Sequence, residues 1–318
     1  MSCVLVTAIG SFAANTVINN LHGKNHTVIG TDIYPKEWIA ESLNVDRFYQ
    51  VPKSIEPNYI QFILNICLEC TVEYIIPLTD VEVDVLSDNR QIFENNNICL
   101  CLSSDYSIKL CRDKYRLFKT ISNSGINLDM IPTFEIEEVT DKIGYPMIAK
   151  PKNGRSSIGL VKIDSTEDLD FYLNRLDVDE YIFQPLIQGD IVTVDILYDE
   201  RSNFFVSIPR IELLRTANGA GLSVHVFDNE ELSALCFQIA NVLQIKGCVN
   251  FEFIKDKHNR YYFLECNPRF SGGIAFSCMS GYDFINNHLN CFSNVSIENK
   301  FKINESYYAR VYKEVKTR

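Results

Sequence analysis

Two spacings of apolar residues alternate along the first hundred positions. Short apolar runs at 3–9, 26–32, 74–78 and 99–102 read as buried strands. Between them apolar residues fall three or four apart, as at Ile60, Ile63, Leu64 and Cys67 within 57–71, which predicts helices. The spacing Thr79-Asp80-Val81-Glu82 predicts a capping box opening another helix. Strand, helix, strand, with Asp32 closing the second strand, suggests a Rossmann-like unit ending near Ser103-Ser104. From Asp105 a helix is expected through Arg112-Asp113-Lys114-Tyr115, stopping at Gly125-Ile126-Asn127. Residues 144–151 and 160–163 read as a strand and its return, with a helix over 165–176. Extended segments follow at 181–189, 193–197 and 208–212. Asp228 and Glu231 predict the cap of an amphipathic helix that buries Leu232, Leu235, Ile239 and Val242. Runs 247–254 and 261–267, joined by a short polar link, predict a hairpin. A helix at 274–291 and a closing strand at 307–312 complete the pattern, and no internal repeat is visible.

Composition narrows the classes. The chain has 318 residues, 46% hydrophobic and 22% charged, enough for two or three subdomains. A net charge of −11 argues against a nucleic-acid or membrane-surface role, since both want basic patches. No run of 18 apolar residues predicts a membrane-spanning helix, and the N-terminus has no signal-peptide pattern. Eleven cysteines form no disulfide framework, and the single C-x-x-C, Cys67 and Cys70, has no second pair at zinc spacing. The expected compartment is the reducing cytoplasm.

The hairpin concentrates the chemistry. Glu265 and Asn267 are two apart on one strand and so share a face, offering two oxygen ligands to a hard cation such as Mg²⁺. The hairpin can bring Glu252 beside them. Pro268 ends the strand, Arg269 supplies a fixed cation suited to phosphate, and Ser271-Gly272-Gly273 is a turn able to face an anion. The bland alternative is a set of edge-strand acids facing water. Lys150 at a strand end precedes Asn153-Gly154-Arg155-Ser156-Ser157-Ile158-Gly159, either an ordinary hairpin loop or a set of donors for phosphate. Only Gly10 stands in the first turn, so the dinucleotide fingerprint is missing, as is the Walker motif elsewhere.

Glu265-Cys266-Asn267-Pro268-Arg269 resembles the E-x-N-P-R metal strand of the ATP-grasp superfamily, especially carboxylate–amine ligases related to the carbamoyl phosphate synthase large subunit. Further blocks in the family's order extend the resemblance over nearly the whole chain. It implies an α/β (α+β ATP-grasp) fold: a Rossmann-like domain at 1–104, a linker helix and mobile lid at 105–184, and a body with the metal site at 185–318. It implies ATP held by Lys114, Lys150 and the loop Asn153, Gly154, Arg155, Ser156, Ser157 and Ile158. Adenine would lie on Gln184, Pro185, Leu186 and Ile187, and the ribose on Asp190. Here the chain departs from the family, with Pro185 and Ile191 at positions where many relatives carry Glu. Asp190 should also point to the other strand face. Glu252, Glu265 and Asn267 would hold one or two Mg²⁺, with Mn²⁺ as an alternative. Arg269, Arg210 and Arg215 would act on the reacting groups, although the latter two are equally open to surface ion pairing. The implied reaction joins a small-molecule carboxylate to an amine through an acyl phosphate, releasing ADP and phosphate. A kinase on the same fold and a non-catalytic ATP-binding regulator are the competing readings, and a homodimer fits the family.

Overall fold

The apolar runs near the N-terminus form a five-stranded parallel sheet in a computed structural model. It describes every residue except Ser156, Ser157, Asn218 and Asn294, and the side chains of Thr140, Asp141 and Lys142. Its strands are β1 (Cys3–Val6), β2 (Thr27–Asp32), β3 (Arg47–Gln50), β4 (Tyr74–Ile76) and β5 (Cys99–Leu100), in the order β3-β2-β1-β4-β5. Helices α1 (Ala14–Gly23), α2 (Tyr59–Glu69), α3 (Asp80–Asp88) and α4 (Arg90–Glu94) connect them. The strand order reverses between β1 and β4. In open sheets of this kind the crevice beyond the carboxyl ends at such a point takes ligands.

Helices α5 (Asp105–Arg112) and α6 (Lys114–Ser122) lead to the short strand β6 (Asp129–Met130) and helix α7 (Ile136–Lys142). A three-stranded antiparallel sheet follows, built from β7 (Met147–Pro151), β8 (Val161–Ile163) and β9 (Tyr181–Pro185) in the order β8-β7-β9, with α8 (Thr166–Leu173) over it. The largest sheet comprises β10 (Asp190–Asp199), β11 (Phe204–Arg215), β12 (Gly221–Val226), β13 (Gly247–Lys255), β14 (Tyr261–Asn267) and β15 (Ser306–Ala309), with α9 (Glu230–Val242), α10 (Ile274–Met279) and α11 (Phe284–Phe292). Its order is β15-β12-β11-β10-β13-β14-β6, antiparallel except where β6 joins β14.

The cores are unequal. One apolar cluster runs from Val4, Val17 and Leu21 of the parallel sheet and α1 into Ile208, Val224, Phe270 and Phe284 of the large sheet's side. A second packs α5, α6 and α9 on the other face of the large sheet, through Leu117, Cys236, Ile239 and Phe251. Among the described residues the small sheet has its own cluster of six buried residues, Val139, Met147, Ala149, Ile163, Leu169 and Phe183.

Several local expectations need correction. Thr79 accepts nothing from α3; its hydroxyl donates to Glu82 at 2.6 Å, and Glu82 turns inward to accept from Thr7 and Tyr59. The expected capping box is therefore a buried acid bound by three hydroxyls. The helix from Asp105 breaks at Asp113, whose side chain caps α6 by accepting from Arg116 N–H. The cap of α9 is Asn229, not Asp228. The expected helix at 274–291 is two, parted at Gly281, whose φ of +119° suits glycine alone. All eleven cysteines are free.

Candidate functional site

The site begins with the β13–β14 hairpin. Glu252 stands directly opposite Glu265, and Asn250 opposite Asn267, with a bulge just after Glu252. Like charges facing each other across a ladder repel. Burial first, and Glu265 second, push the Glu252 carboxyl up to about 7, although Arg215 pulls the other way. The Arg215 Nη2 donates to Glu252 Oε2 at 3.3 Å. The Asn267 amide nitrogen donates to Asn250 Oδ1 at 3.2 Å and to Glu265 Oε1 at 3.4 Å, which leaves the Asn267 amide oxygen as an acceptor. Two crowded carboxylates and a fixed amide oxygen suit a hard divalent cation, which would relieve their repulsion. Among the described residues no group of three or more His, Cys, Asp or Glu side chains could hold a metal, and the third oxygen donor beside these two carboxylates is the Asn267 amide.

Two lysines approach from other elements. Lys150 at the end of β7 is 7% exposed, and its ammonium group has no hydrogen-bond partner among the described residues. Burial pushes its ammonium group down to about 8, an effect that Glu265 only partly offsets. Lys114, the first residue of α6, donates to Gly154 O at 2.5 Å and lies 3.9 Å from Glu265. Burial lowers the Lys114 ammonium as well. A desolvated lysine without a partner is costly unless something anionic binds there.

A cavity of about 660 Å³ brings these groups together. Of the residues expected from sequence, Lys114, Lys150, Gly154, Arg155, Ile158, Arg210, Arg215, Glu252, Glu265, Asn267 and Arg269 line it. Asn153, Gln184, Pro185, Leu186, Ile187 and Asp190 do not. Gln184 instead donates to Thr133 Oγ1 at 2.7 Å, with its own amide oxygen buried and unpaired. Asp190 is exposed, while Ile191 beside it faces the cavity. Ser156 and Ser157 lie outside the described residues. The far wall comes from the parallel sheet, through Ser11–Ala13 after β1 and Leu78–Val81 after β4. Those are the carboxyl ends at the point where the strand order reverses.

The arginines are held differently. Arg210 is 1% exposed and not on the surface. Its guanidinium donates to Asp195 at 2.5 Å, Glu212 at 3.0 Å, Ser271 at 2.9 Å and Ser277 at 3.2 Å, so two acids more than offset its charge. Arg269 pairs side-on with Asp80 of α3, Nε to Oδ1 and Nη2 to Oδ2, both at 2.9 Å. Burial alone would raise the Asp80 carboxyl. Arg269 and Arg112 outweigh it and hold that carboxyl well below the usual range. Sequence reasoning gave no functional role to Asp84, Arg112, Asn250 or Arg310. Arg310 donates to the carbonyls of Gly221 and Gly272 and tethers the closing strand to the cavity rim. Alternation already puts Asn250 on one strand face with Glu252, and its contact with the Asn267 amide is what the spacing does not show.

Three sequence families match the chain. "PylC-like, N-terminal domain" matches residues 4–101, "D-ala D-ala ligase C-terminus" matches 116–212, and "ATP-grasp in the biosynthetic pathway with Ter operon" matches 177–315. The arginine-specific carbamoyl phosphate synthase large chain of Bacillus subtilis is 23% identical over 239 residues, 71% of this chain and 22% of that one. A D-alanine–D-alanine ligase of Nitrosomonas eutropha is 29% identical over 182 residues, 50% of this chain and 56% of that one. The chain thus spans about a fifth and about half of these two relatives. In fold it is similar to the biotin carboxylase domain dimer of Hydrogenobacter thermophilus 2-oxoglutarate carboxylase, in complex with MgADP, ADP and bicarbonate. The TM-score is 0.79 at 18% identity, over 96% of this chain and 73% of that one. With a parallel N-terminal sheet followed by the two ATP-grasp sheets, and with these matches along its length, the chain belongs to the ATP-grasp superfamily.

Proposed function

We propose that the chain is an ATP-dependent carboxylate–amine ligase. The observation that carries this reading is the convergence of Lys114, Lys150, Glu252, Glu265 and Asn267 on one cavity. Transfer of a phosphoryl group needs positioning and charge neutralisation more than covalent help from the protein. Lys114, Lys150 and the loop at 153–159 would hold the polyphosphate. Glu252, Glu265 and Asn267 would hold Mg²⁺, which when bound neutralises phosphate charge. Arg269 would meet the charge that develops on the transferred group, and Arg215 the substrate acid. Arg210 is too enclosed for direct contact and would support the turn at 271–273. The adenine and ribose roles given to Gln184–Ile187 and Asp190 remain part of this proposal only through the family resemblance.

In this reading the carboxylate of a small acid takes the terminal phosphoryl group of ATP. The resulting acyl phosphate is then attacked by an amine, giving an amide and free phosphate. The acid would lie towards Ser11–Ala13 and Leu78–Val81, with the division at 1–104, 105–184 and 185–318 separating its wall from the lid and the metal strand. The small apolar core of the lid suits a part that moves on nucleotide binding. Free thiols throughout fit a reducing cytoplasm, and a homodimer is the proposed assembly. The test is release of ADP and phosphate from MgATP on offering paired acids and amines. A ligase needs both partners and yields one phosphate per amide. ADP without free phosphate would mean a kinase, and no turnover with any pair would remove the catalytic reading.

A further inference from the structure

We infer that Asp80 is a positioning residue for Arg269, so that the N-terminal sheet aims an arginine belonging to the metal strand. This rests on the ligase reading only for the role of Arg269, not for the contact itself.

Asp80 and Asp84 are four apart on α3 and share a helix face. Guanidinium groups from three separate segments meet them. Arg112 of α5 donates to Asp80 Oδ1 at 2.8 Å and to Asp84 Oδ1 at 2.7 Å. Arg155, in the loop after β7, donates to Asp84 Oδ2 at 3.2 Å. Arg269 takes both oxygens of Asp80 in parallel bonds. Three arginines against two acids leave one positive charge in excess, beside a cavity that Asp80, Arg155 and Arg269 all line.

The donor count of Arg269 gives the consequence. A guanidinium has five N–H groups. Two go to Asp80 and one to Phe270 O at 3.1 Å, leaving two. A bidentate pair fixes the plane of the group as well as its position. An arginine just past a strand end would otherwise have the freedom of many rotamers. Asp80 removes that freedom before any ligand arrives. Arg112 also donates to the Asp80 backbone carbonyl at 3.2 Å, which keeps the acid itself from turning.

Asp80→Asn keeps the size of the side chain but loses the charge and one of the two acceptors. The direct readout is the Nε–Hε signal of Arg269 in arginine side-chain NMR, assigned by its loss in Arg269→Lys. It should be slowly exchanging and rigid in the parent and become mobile in Asp80→Asn. The rate of ADP release from MgATP should fall about 10–100-fold, as misplaced catalytic groups do, while the Kd for MgATP stays within about threefold. Asp80→Glu, which preserves the charge, should keep part of the rate and the rigid signal, and stands in if Asp80→Asn does not fold. Asp84→Asn should leave the Arg269 signal unchanged. An Arg269 signal equally rigid without Asp80, or a parental rate once the signal has become mobile, would overturn the inference. If the parent fails to bind MgATP, the ligase reading falls, and the NMR comparison alone decides this one.

Discussion

Replacing Lys150 by methionine should stabilise the protein and weaken nucleotide binding together. Lys150 is buried at a strand end without a hydrogen-bond partner among the described residues, and its ammonium group is pushed from 10.5 down to about 8. At roughly 1.4 kcal/mol per pH unit, keeping it charged costs the folded state about 3 kcal/mol. Below pH 8 the lysine is charged whether folded or unfolded, and the whole cost is present. Between pH 8 and about 10.4 the folded-state group loses its proton first, and the cost fades. Lys150→Met should therefore be more stable than the parent by up to about 3 kcal/mol at pH 7, with the gap closing through that window. A hydrogen bond to a charged group contributes about 1.5–3 kcal/mol, so MgATP affinity should drop about 10–100-fold. Binding at pH 8 should also draw a fraction of a proton into the parent, because polyphosphate recharges the lysine. Urea unfolding from pH 7 to 10 gives the first quantity, and titration calorimetry in two buffers of different ionisation enthalpy gives the others. A variant less stable than the parent that binds MgATP equally well would refute the reasoning, since Lys150 would then be an ordinary structural residue.

Glu265→Gln should cut turnover about 10²–10³-fold while sparing much of the MgATP affinity, because it removes one charge placed to fix the metal; a Mg²⁺ titration superimposable on the parent's would exclude Glu265 as a ligand. Trypsin cleavage after Arg155 should slow markedly on adding MgATP if the loop closes over phosphate, and an unchanged digestion rate at saturation would argue against closure. Gly273→Ala should cost about 1–3 kcal/mol in urea unfolding, since its methyl would sit 2.7 Å from the buried Arg210 guanidinium, and a neutral result would mean that Arg210 is free to move.

The hairpin at 247–267 was the most legible part of the chain. Period-two alternation fixes which residues share a face, so Glu265 and Asn267 could be paired from spacing alone, and a short polar link brought in Glu252. The Lys150 strand was readable for the same reason. Other contacts carry no such signal. Thr79-x-x-Glu82 has the same spacing whether the acid returns to cap the helix or turns into the core, and here a hydroxyl cluster around Tyr59 decided it. Asp113 sits between two helical patterns and reads as a helix interior until its side chain is seen capping the second. Asp80 meets Arg269 across 189 positions, through the packing of the parallel sheet against the body, which no local pattern encodes. Burial of Arg210 depends likewise on Asp195 from the neighbouring strand β10 and on Ser271 and Ser277 from beyond β14, while Glu212 sits two positions along its own strand.

The apolar cluster shared by α1, the parallel sheet and the large sheet has a practical consequence for dissecting the protein. A fragment starting at Asp105 would lay bare Ile208, Val224, Phe270, Phe284 and Leu289, now 0–3% exposed. The complementary N-terminal piece would expose Val17, Ile18 and Leu21. Apolar surface of that extent drives aggregation in isolated pieces. Separate expression of the two halves should give insoluble material, and co-expression should restore a soluble complex. Shuffling of N-terminal modules between such proteins would then have to exchange the matching face of α11 as well, so the parallel sheet and the body are inherited as one unit.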